Sequence, residues 1–323
     1  MQTESKIDSK LEPDNSVKPL SRVPASSLST KTFFEEYQKE GIPVIITGLL
    51  ESEPEWNLDY LCEKLSNHEF RIRFYGRDRY KQDKRTWTSI GSAVEGKTML
   101  FTEYADLLRS HEAYEKDVYL GKCPLEDTPL AEPSTLKQAE AHLGLRMPAT
   151  GMNLWVGPGG HTTCLHCDAV DSTLMQLHGA KKILLFPPSQ LYNIYPFPIV
   201  SHLRHGLKRR ASYSQVYPEQ PDFEAFPRFK QALEHRREDI VKQGEMLYIP
   251  AGWWHEVTSL GSDMVCSINR FWHVYPVSRA LRWSKWRIHL GSVCAAPYIL
   301  GNLLAAISSG KPKQELSKLV QKL

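Results

Sequence analysis

The chain has 323 residues, 41% hydrophobic and 24% charged, which suits one large soluble globular domain. Its formal net charge of +3 is too small by itself to imply nucleic-acid binding. Six cysteines, at 62, 123, 164, 167, 266 and 294, are scattered through a chain too large to need disulfide staples. They read as reduced thiols of a cytoplasmic or nuclear protein, and the opening Met-Gln-Thr-Glu-Ser-Lys has no apolar stretch of a signal peptide.

Residues 1–19 are polar and are expected as a disordered arm. Residues 20–150 are expected as an α/β flanking region. Ser29-Thr-Lys-Thr opens a capped helix, and Ile42-Pro-Val-Ile-Ile-Thr is a buried strand ending at Gly48. Residues 58–65 have helical apolar spacing, and 70–75 alternate like a strand. Residues 99–109 form an amphipathic helix with Phe101, Tyr104, Leu107 and Leu108 on one side, and 118–120 a short strand. From 151 to 275 short strands alternate with turns, interrupted by a helical insert over 221–235. The predicted fold is therefore mainly β: a double-stranded β-helix (jelly-roll or cupin) barrel with flanking α-helices. Residues 276–323 turn helical. The stretch 288–307 is apolar, but Arg287, His289, Pro297 and Asn302 fall in or beside it, so no membrane span is expected.

His166-Cys-Asp168 and the distant His255, in Tyr248-Ile-Pro-Ala-Gly-Trp-Trp-His255, are the most informative residues. Two imidazoles and a carboxylate are the donor set of a facial iron(II) site. Residues two apart on a strand share a face, so His166 and Asp168 can grip one metal from one strand. His255, 87 residues after Asp168, must come from another. The spacing alone also fits an exposed His and Asp on an ordinary strand. Gly157-Pro-Gly-Gly160 upstream, with turn–strand–breaker runs at 179–188 and 244–252, supplies the neighbourhood of a barrel. Cys164 and Cys167 form a CxxC, but strand parity would send their sulfurs to opposite faces, and plain packing cysteines are expected. Trp253, Trp254 and Trp272 either wall the site or form barrel core. The basic run 202–210 could bind an acidic peptide or RNA phosphates, or be a solvated loop.

The segment Leu154-Trp-Val-Gly-Pro-Gly-Gly-His-Thr-Thr-Cys-Leu-His-Cys-Asp168 resembles the metal-binding segment of the JmjC (cupin-like) iron(II)/2-oxoglutarate oxygenases. The resemblance runs from about 20 to 275. Tyr195-Pro-Phe-Pro, Ser214-Gln-Val, Pro221-Asp-Phe-Glu-Ala-Phe-Pro and Ile268-Asn-Arg-Phe-Trp272 look most like the hypoxia-inducible-factor asparaginyl hydroxylase of that family, and the tRNA wybutosine hydroxylase shares much of the pattern.

The resemblance implies Fe(II) at His166, Asp168 and His255, with 2-oxoglutarate as cosubstrate. It implies Lys181 as the cation for the far carboxylate, with Lys182 facing away, and Tyr119 and Thr163 as its hydrogen-bonding partners. Strand parity counts against Thr163 sharing the face of His166, so a bend is required there. Asn269 matches an amide near the metal. Ser212 and Tyr213 stand where the asparaginyl hydroxylase has an Arg-Gln pair, and Ser172 where it has an asparagine, so the cofactor set is kept and the substrate set is changed. Arg209 and Arg210 join Ser212 and Tyr213 as candidate substrate contacts. Hydroxylation of a protein side chain, with release of succinate and CO2, is the leading expectation. A modified tRNA base or small molecule is the alternative, and a non-catalytic partner-binding cupin a second. A histone demethylase is disfavoured because no chromatin reader or zinc module accompanies the barrel. The C-terminal helices either pair with a second subunit, giving a homodimer, or simply cover the barrel.

Overall fold

The computed structural model describes residues 18–91, 94–208 and 210–308, and its strands fall into two sheets. The strands are β1 (Ser21–Pro24), β2 (Val44–Thr47), β3 (Glu69–Phe74), β4 (Gly96–Leu100), β5 (Val118–Pro124), β6 (Asn153–Pro158) and β7 (Thr162–Cys167). They continue as β8 (Asp171–His178), β9 (Ala180–Phe186), β10 (Arg237–Lys242), β11 (Met246–Ile249), β12 (Trp254–Ser259) and β13 (Met264–Trp272). The major sheet runs β1-β2-β11-β8-β13-β6-β5-β3-β4 and the minor sheet β10-β9-β12-β7. Among the described strands only the edge pair β1/β2 is parallel. The two faces form the barrel expected from the turn-rich stretch 151–275. The flanking strands β1 to β5 are not a separate unit, since they extend the major sheet on both sides.

Strand parity explains the burial. Val44 and Ile46 of β2, Met246 and Tyr248 of β11, and Met175 of β8 point to the outer core. Their neighbours Ile45, Leu247, Ile249 and Leu174 point inward, against Ile183 and Leu185 of the minor sheet. A sheet covered on both faces needs apolar residues at successive positions, which is why β2 reads Val-Ile-Ile rather than alternating. The outer layer includes α1 (Leu58–Leu65), α2 (Phe101–Arg109) and α3 (Ser134–His142). Leu61 and Leu65 of α1, Phe101 and Tyr104 of α2, and Leu136 and Ala139 of α3 join that core. Asn57 caps α1 by accepting from Tyr60 N at 2.9 Å, and Ser29 caps its helix by accepting from Thr32 N at 3.1 Å.

Three local expectations change. Met99 and Leu100 end a strand, and the helix begins at Phe101; β4 has too little alternation to be read alone. Only α5 (Phe229–Leu233) is α-helical within 221–235. The basic run is not a solvated loop: α4 (Ser201–His205) and a 3-10 turn over Gly206–Lys208 lie against the C-terminal helix. Of the arm expected over 1–19, only Lys18 and Pro19 are among the described residues, and 309–323 lie outside them.

The C-terminal helix α6 (Trp283–Ser308) packs one stripe on the barrel. Arg287 is buried and donates to the carbonyls of Ala211 and Phe197, while Gly291 gives room for the His202 ring. Its other side exposes Trp283, Trp286, Leu290, Val293, Leu300, Leu304 and Ile307. By length and composition the stretch Trp283–Ala305 is also sufficient to cross a membrane.

A buried ion pair ties this segment to the barrel. Arg279 donates to both carboxylate oxygens of Asp171 at 2.8 and 2.9 Å, and Asp171 also accepts from Tyr248 Oη and Ala251 N at 2.8 Å. Removing one partner strands a buried charge, so Arg279→Ala should lower unfolding free energy by about 3–5 kcal/mol, measured by urea denaturation. A loss below about 1 kcal/mol would show that water already screens the pair.

Candidate active site

His166 and His255 face each other across the antiparallel pair β7/β12, and their rings lie 4.2 Å apart between centroids. Asp168 follows the end of β7, where its backbone oxygen accepts from Gly252 N at 2.9 Å. Its Oδ2 is 3.7 Å from His255 Nε2. One ligand atom from each of the three residues lies within 4.8 Å of the others.

The imidazole nitrogens are sorted by their backbone partners. His166 Nδ1 meets Cys164 O at 2.9 Å and His255 Nδ1 meets Trp253 O at 3.0 Å. A carbonyl can only accept, so each Nδ1 carries the proton and each Nε2 keeps a lone pair for a metal. Burial, reinforced by His255, pushes the His166 pKa down to about 4, so the ring is neutral near pH 7. The donor set thus fits one divalent ion with imidazole and carboxylate preference.

The bend required for Thr163 is a β-bulge. His166 pairs with His255 but Thr163 pairs with Val257, a step of three residues against two. The extra residue turns Thr163 to the side of His166, and both line one cavity. The bulge is held by Glu256, whose carboxylate accepts from Leu165 N at 3.0 Å. It also removes the parity reason for separating Cys164 and Cys167. Both thiols are nonetheless free, and they sit in different apolar clusters.

The cavity holds about 140 Å³. A water's share of liquid volume is about 30 Å³, so there is room for a small molecule. Besides the three metal-donor candidates, Lys181, Thr163, Tyr119 and Asn269 line it, as do Ser172, Ser212, Tyr213 and Arg210. Arg209 lies outside the described residues. Tyr213 stacks on His166 at 5.0 Å and 15°, and Ser212 O accepts from Cys167 N at 2.9 Å. The changed Ser-Tyr pair is therefore a strand-like neighbour of the metal-donor strand. Trp253, Trp254 and Trp272 belong to core clusters instead.

Lys181 is 2% exposed, on β9, and its Nζ donates to Ser267 Oγ. Among the described residues it has no carboxylate partner. Burial lowers its pKa to about 8. Lys182, one residue on, faces out to Glu219 and Glu238, each at 3.1 Å.

Tyr119 is buried and stacks on His161 at 3.6 Å and 11°. His161 in turn donates from Nδ1 to Asp117 Oδ1 at 2.8 Å. A side chain on Gly157 would sit 2.0 Å from the Tyr119 ring, so glycine is required where that ring crosses β6.

Sequence reasoning missed Trp155, Arg73, Tyr75 and Lys122, all in the cavity wall. Trp155 Nε1 donates to Asn269 Oδ1 at 2.7 Å, and Asn269 Nδ2 donates to Ser172 Oγ at 3.3 Å, which fixes the amide orientation. Trp155 pairs across β6/β13 with Ser267, two positions before Asn269, a relation that local sequence does not encode. Arg73 and Lys122 left no motif.

A double-stranded barrel that gathers two imidazoles, a carboxylate and a buried lysine around one cavity defines a JmjC-type cupin. Over residues 30–276 the chain matches the cupin-like domain family, and it belongs to that family. It is 29% identical over 262 residues to lysine-specific demethylase JMJ30 of Arabidopsis thaliana, covering 76% of this chain and 53% of that protein. It is 36% identical over 121 residues to lysine-specific demethylase 8 of Xenopus tropicalis, covering 38% of this chain and 25% of that protein. It is 40% identical over 112 residues to JmjC domain-containing protein D of Dictyostelium discoideum, covering 35% and 23%. The chain thus spans about half the length of the first relative and about a quarter of the other two.

The buried ammonium of Lys181 has a measurable signature. Its folded pKa of about 8 lies below the ordinary 10.5, so the folded state disfavours the charge at neutral pH. Stability should rise as pH climbs from about 8 to 10, where only the unfolded chain still holds the proton. Without cosubstrate, Lys181→Met should lose that rise and be more stable at pH 7, by up to about 3 kcal/mol. Thermal melts across pH 7–10 decide it, and a destabilised Met variant would contradict it.

Proposed function

We propose that the chain is an Fe(II)/2-oxoglutarate-dependent oxygenase that hydroxylates a C–H bond of a protein side chain. The observation that carries this reading is Lys181, a buried ammonium with no carboxylate partner among the described residues, in the same cavity as the His166–Asp168–His255 donor set. His166 Nε2, Asp168 and His255 Nε2 would hold the iron. Lys181 takes the far carboxylate of 2-oxoglutarate as a charge-assisted hydrogen bond, aided by Thr163 and Tyr119. Asn269, its amide fixed by Trp155 and Ser172, lines the same cavity and would orient groups beside the metal.

Bound there, iron and 2-oxoglutarate would supply dioxygen-dependent hydroxylation of a C–H bond, coupled to oxidative decarboxylation of 2-oxoglutarate to succinate and CO2. The protein's own contribution is placement. The apolar wall of Leu174, Ile249, Val257 and Phe271 keeps water scarce, and Ser212 and Tyr213 border the substrate side. Two of the relatives are named for lysine demethylation, which supports a protein substrate over a tRNA base or small molecule. Oxidation of an N-methyl carbon is the same C–H chemistry and is the second reading. All six cysteines are free thiols, which supports a cytosolic or nuclear setting over a non-reducing one.

Asp168→Ala should abolish Fe(II)-dependent consumption of 2-oxoglutarate, and wild-type turnover in that variant would refute the donor set. Lys181→Ala should weaken 2-oxoglutarate binding about tenfold to a hundredfold with iron binding largely kept, since a charged hydrogen bond is worth about 1.5–3 kcal/mol. Lys182→Ala should change it little.

We also propose that a second copy of the chain covers the exposed side of α6, which supports a homodimer. Trp283, Trp286, Leu290, Val293, Pro297, Leu300, Leu304 and Ile307 recur at alternating steps of three and four, the pattern of an interhelical seam. Light scattering should give twice the chain mass, and Leu290→Glu with Leu300→Glu should give a monomer. A wild-type monomer that instead partitions into lipid vesicles would assign the helix to a membrane.

A further inference from the structure

Arg73, Lys122, Lys181 and Arg210 line the cavity, and Asp168 is the only carboxylate among its lining residues. With Asp168 committed to the metal and Lys181 to the cosubstrate, Arg73 and Lys122 are the cations the argument turns on, and Arg210 lines the same wall. Arg73 is 7% exposed, its Nη1 donates to Gly121 O, and its Nε is buried without a partner. Among the described residues neither Arg73 nor Lys122 is in an ion pair. A buried guanidinium left uncompensated is unfavourable unless an anion arrives.

Lys122 adds a backbone argument. It has φ of +53°, a left-handed conformation uncommon for a residue with a side chain. It sits in a second bulge: Leu120 pairs with Val156 but Cys123 pairs with Leu154. Bulges beside active sites re-aim side chains, and this one brings Lys122 into the cavity wall, its Nζ 5.3 Å above the Phe271 ring. Strain of this kind is kept where it places a functional group.

We infer that Arg73 and Lys122, with Arg210, form an anion clamp, and that the substrate presents an acidic side chain at the cavity mouth. The inference rests on the oxygenase reading and sharpens it to an acidic peptide segment. A lysine or methyl-lysine side chain would enter against three like charges. The clamp lies in the wall of a small cavity rather than along a surface strip, which suits one anionic group more than a nucleic-acid backbone.

The test uses the full chain and a set of peptides differing only at one central residue: Glu, phosphoserine, Gln, Lys or trimethyl-lysine. Binding is read by fluorescence anisotropy on protein loaded with a redox-inert divalent ion and saturating 2-oxoglutarate. The Glu or phosphoserine peptide should bind about tenfold tighter than Gln, and the two lysine peptides weakest. Which of the two anions binds better separates a carboxylate from a phosphate source. Lys122→Glu should invert the order. Lys122→Gly should lose the preference while its melting temperature rises, because glycine adopts the positive φ without strain. Equal binding of all peptides, tighter binding of the lysine peptides, or an unchanged preference in Lys122→Gly would overturn the clamp. The oxygenase reading fails separately, through absent Fe(II)-dependent consumption of 2-oxoglutarate by wild-type protein.

Discussion

The register of β7 against β12 is the constraint on which the site depends. It sets His166 opposite His255, and its bulge adds Thr163 to the same side. A slip of one residue would turn every inward side chain of β12 outward, including His255 and Val257. The register is fixed from both ends. Glu256 accepts from the bulged Leu165 N, while Asp171, bound to Arg279, Tyr248 and Ala251 N, anchors the turn that leads into β12. Elements far from the cavity in sequence therefore hold the donor geometry.

Around that frame the protein stores unfavourable charge. Lys181 is buried with a hydroxyl for a partner, and Arg73 keeps an unpaired Nε. Lys122 adds backbone strain. None of these features is explained by stability, since each opposes folding. All become favourable once anions enter: the carboxylates of a cosubstrate and an acidic group of a substrate. Arg73, Lys122, Lys181 and Arg210 thus line a cavity in which Asp168 is the one carboxylate among the described lining residues.

Much of this was legible in the sequence because the chemistry uses rare residue types at fixed spacing. The HxD pair, the later His255 and the turn–strand–breaker runs located β7, β9, β11 and β12. Strand parity separated Lys181 from Lys182 correctly, since β9 is regular. It failed at Thr163 because a bulge is set by pairing with a distant strand, which local pattern does not encode. The same holds for Lys122, an exposed residue whose place in the cavity wall depends on the β5/β6 mismatch. The short β4 was absorbed into the following helix, because Met99 and Leu100 continue that helix's apolar spacing. The basic run looked like a loop because its cover, α6, lies about eighty residues later.

The most direct measurement is a crystal structure of the full chain with Fe(II) and 2-oxoglutarate grown without oxygen. The expected result is one metal held by His166 Nε2, Asp168 and His255 Nε2, with the far carboxylate of 2-oxoglutarate on Lys181 Nζ. Metal bound elsewhere, or a cosubstrate whose far carboxylate avoids Lys181, would contradict the assignment.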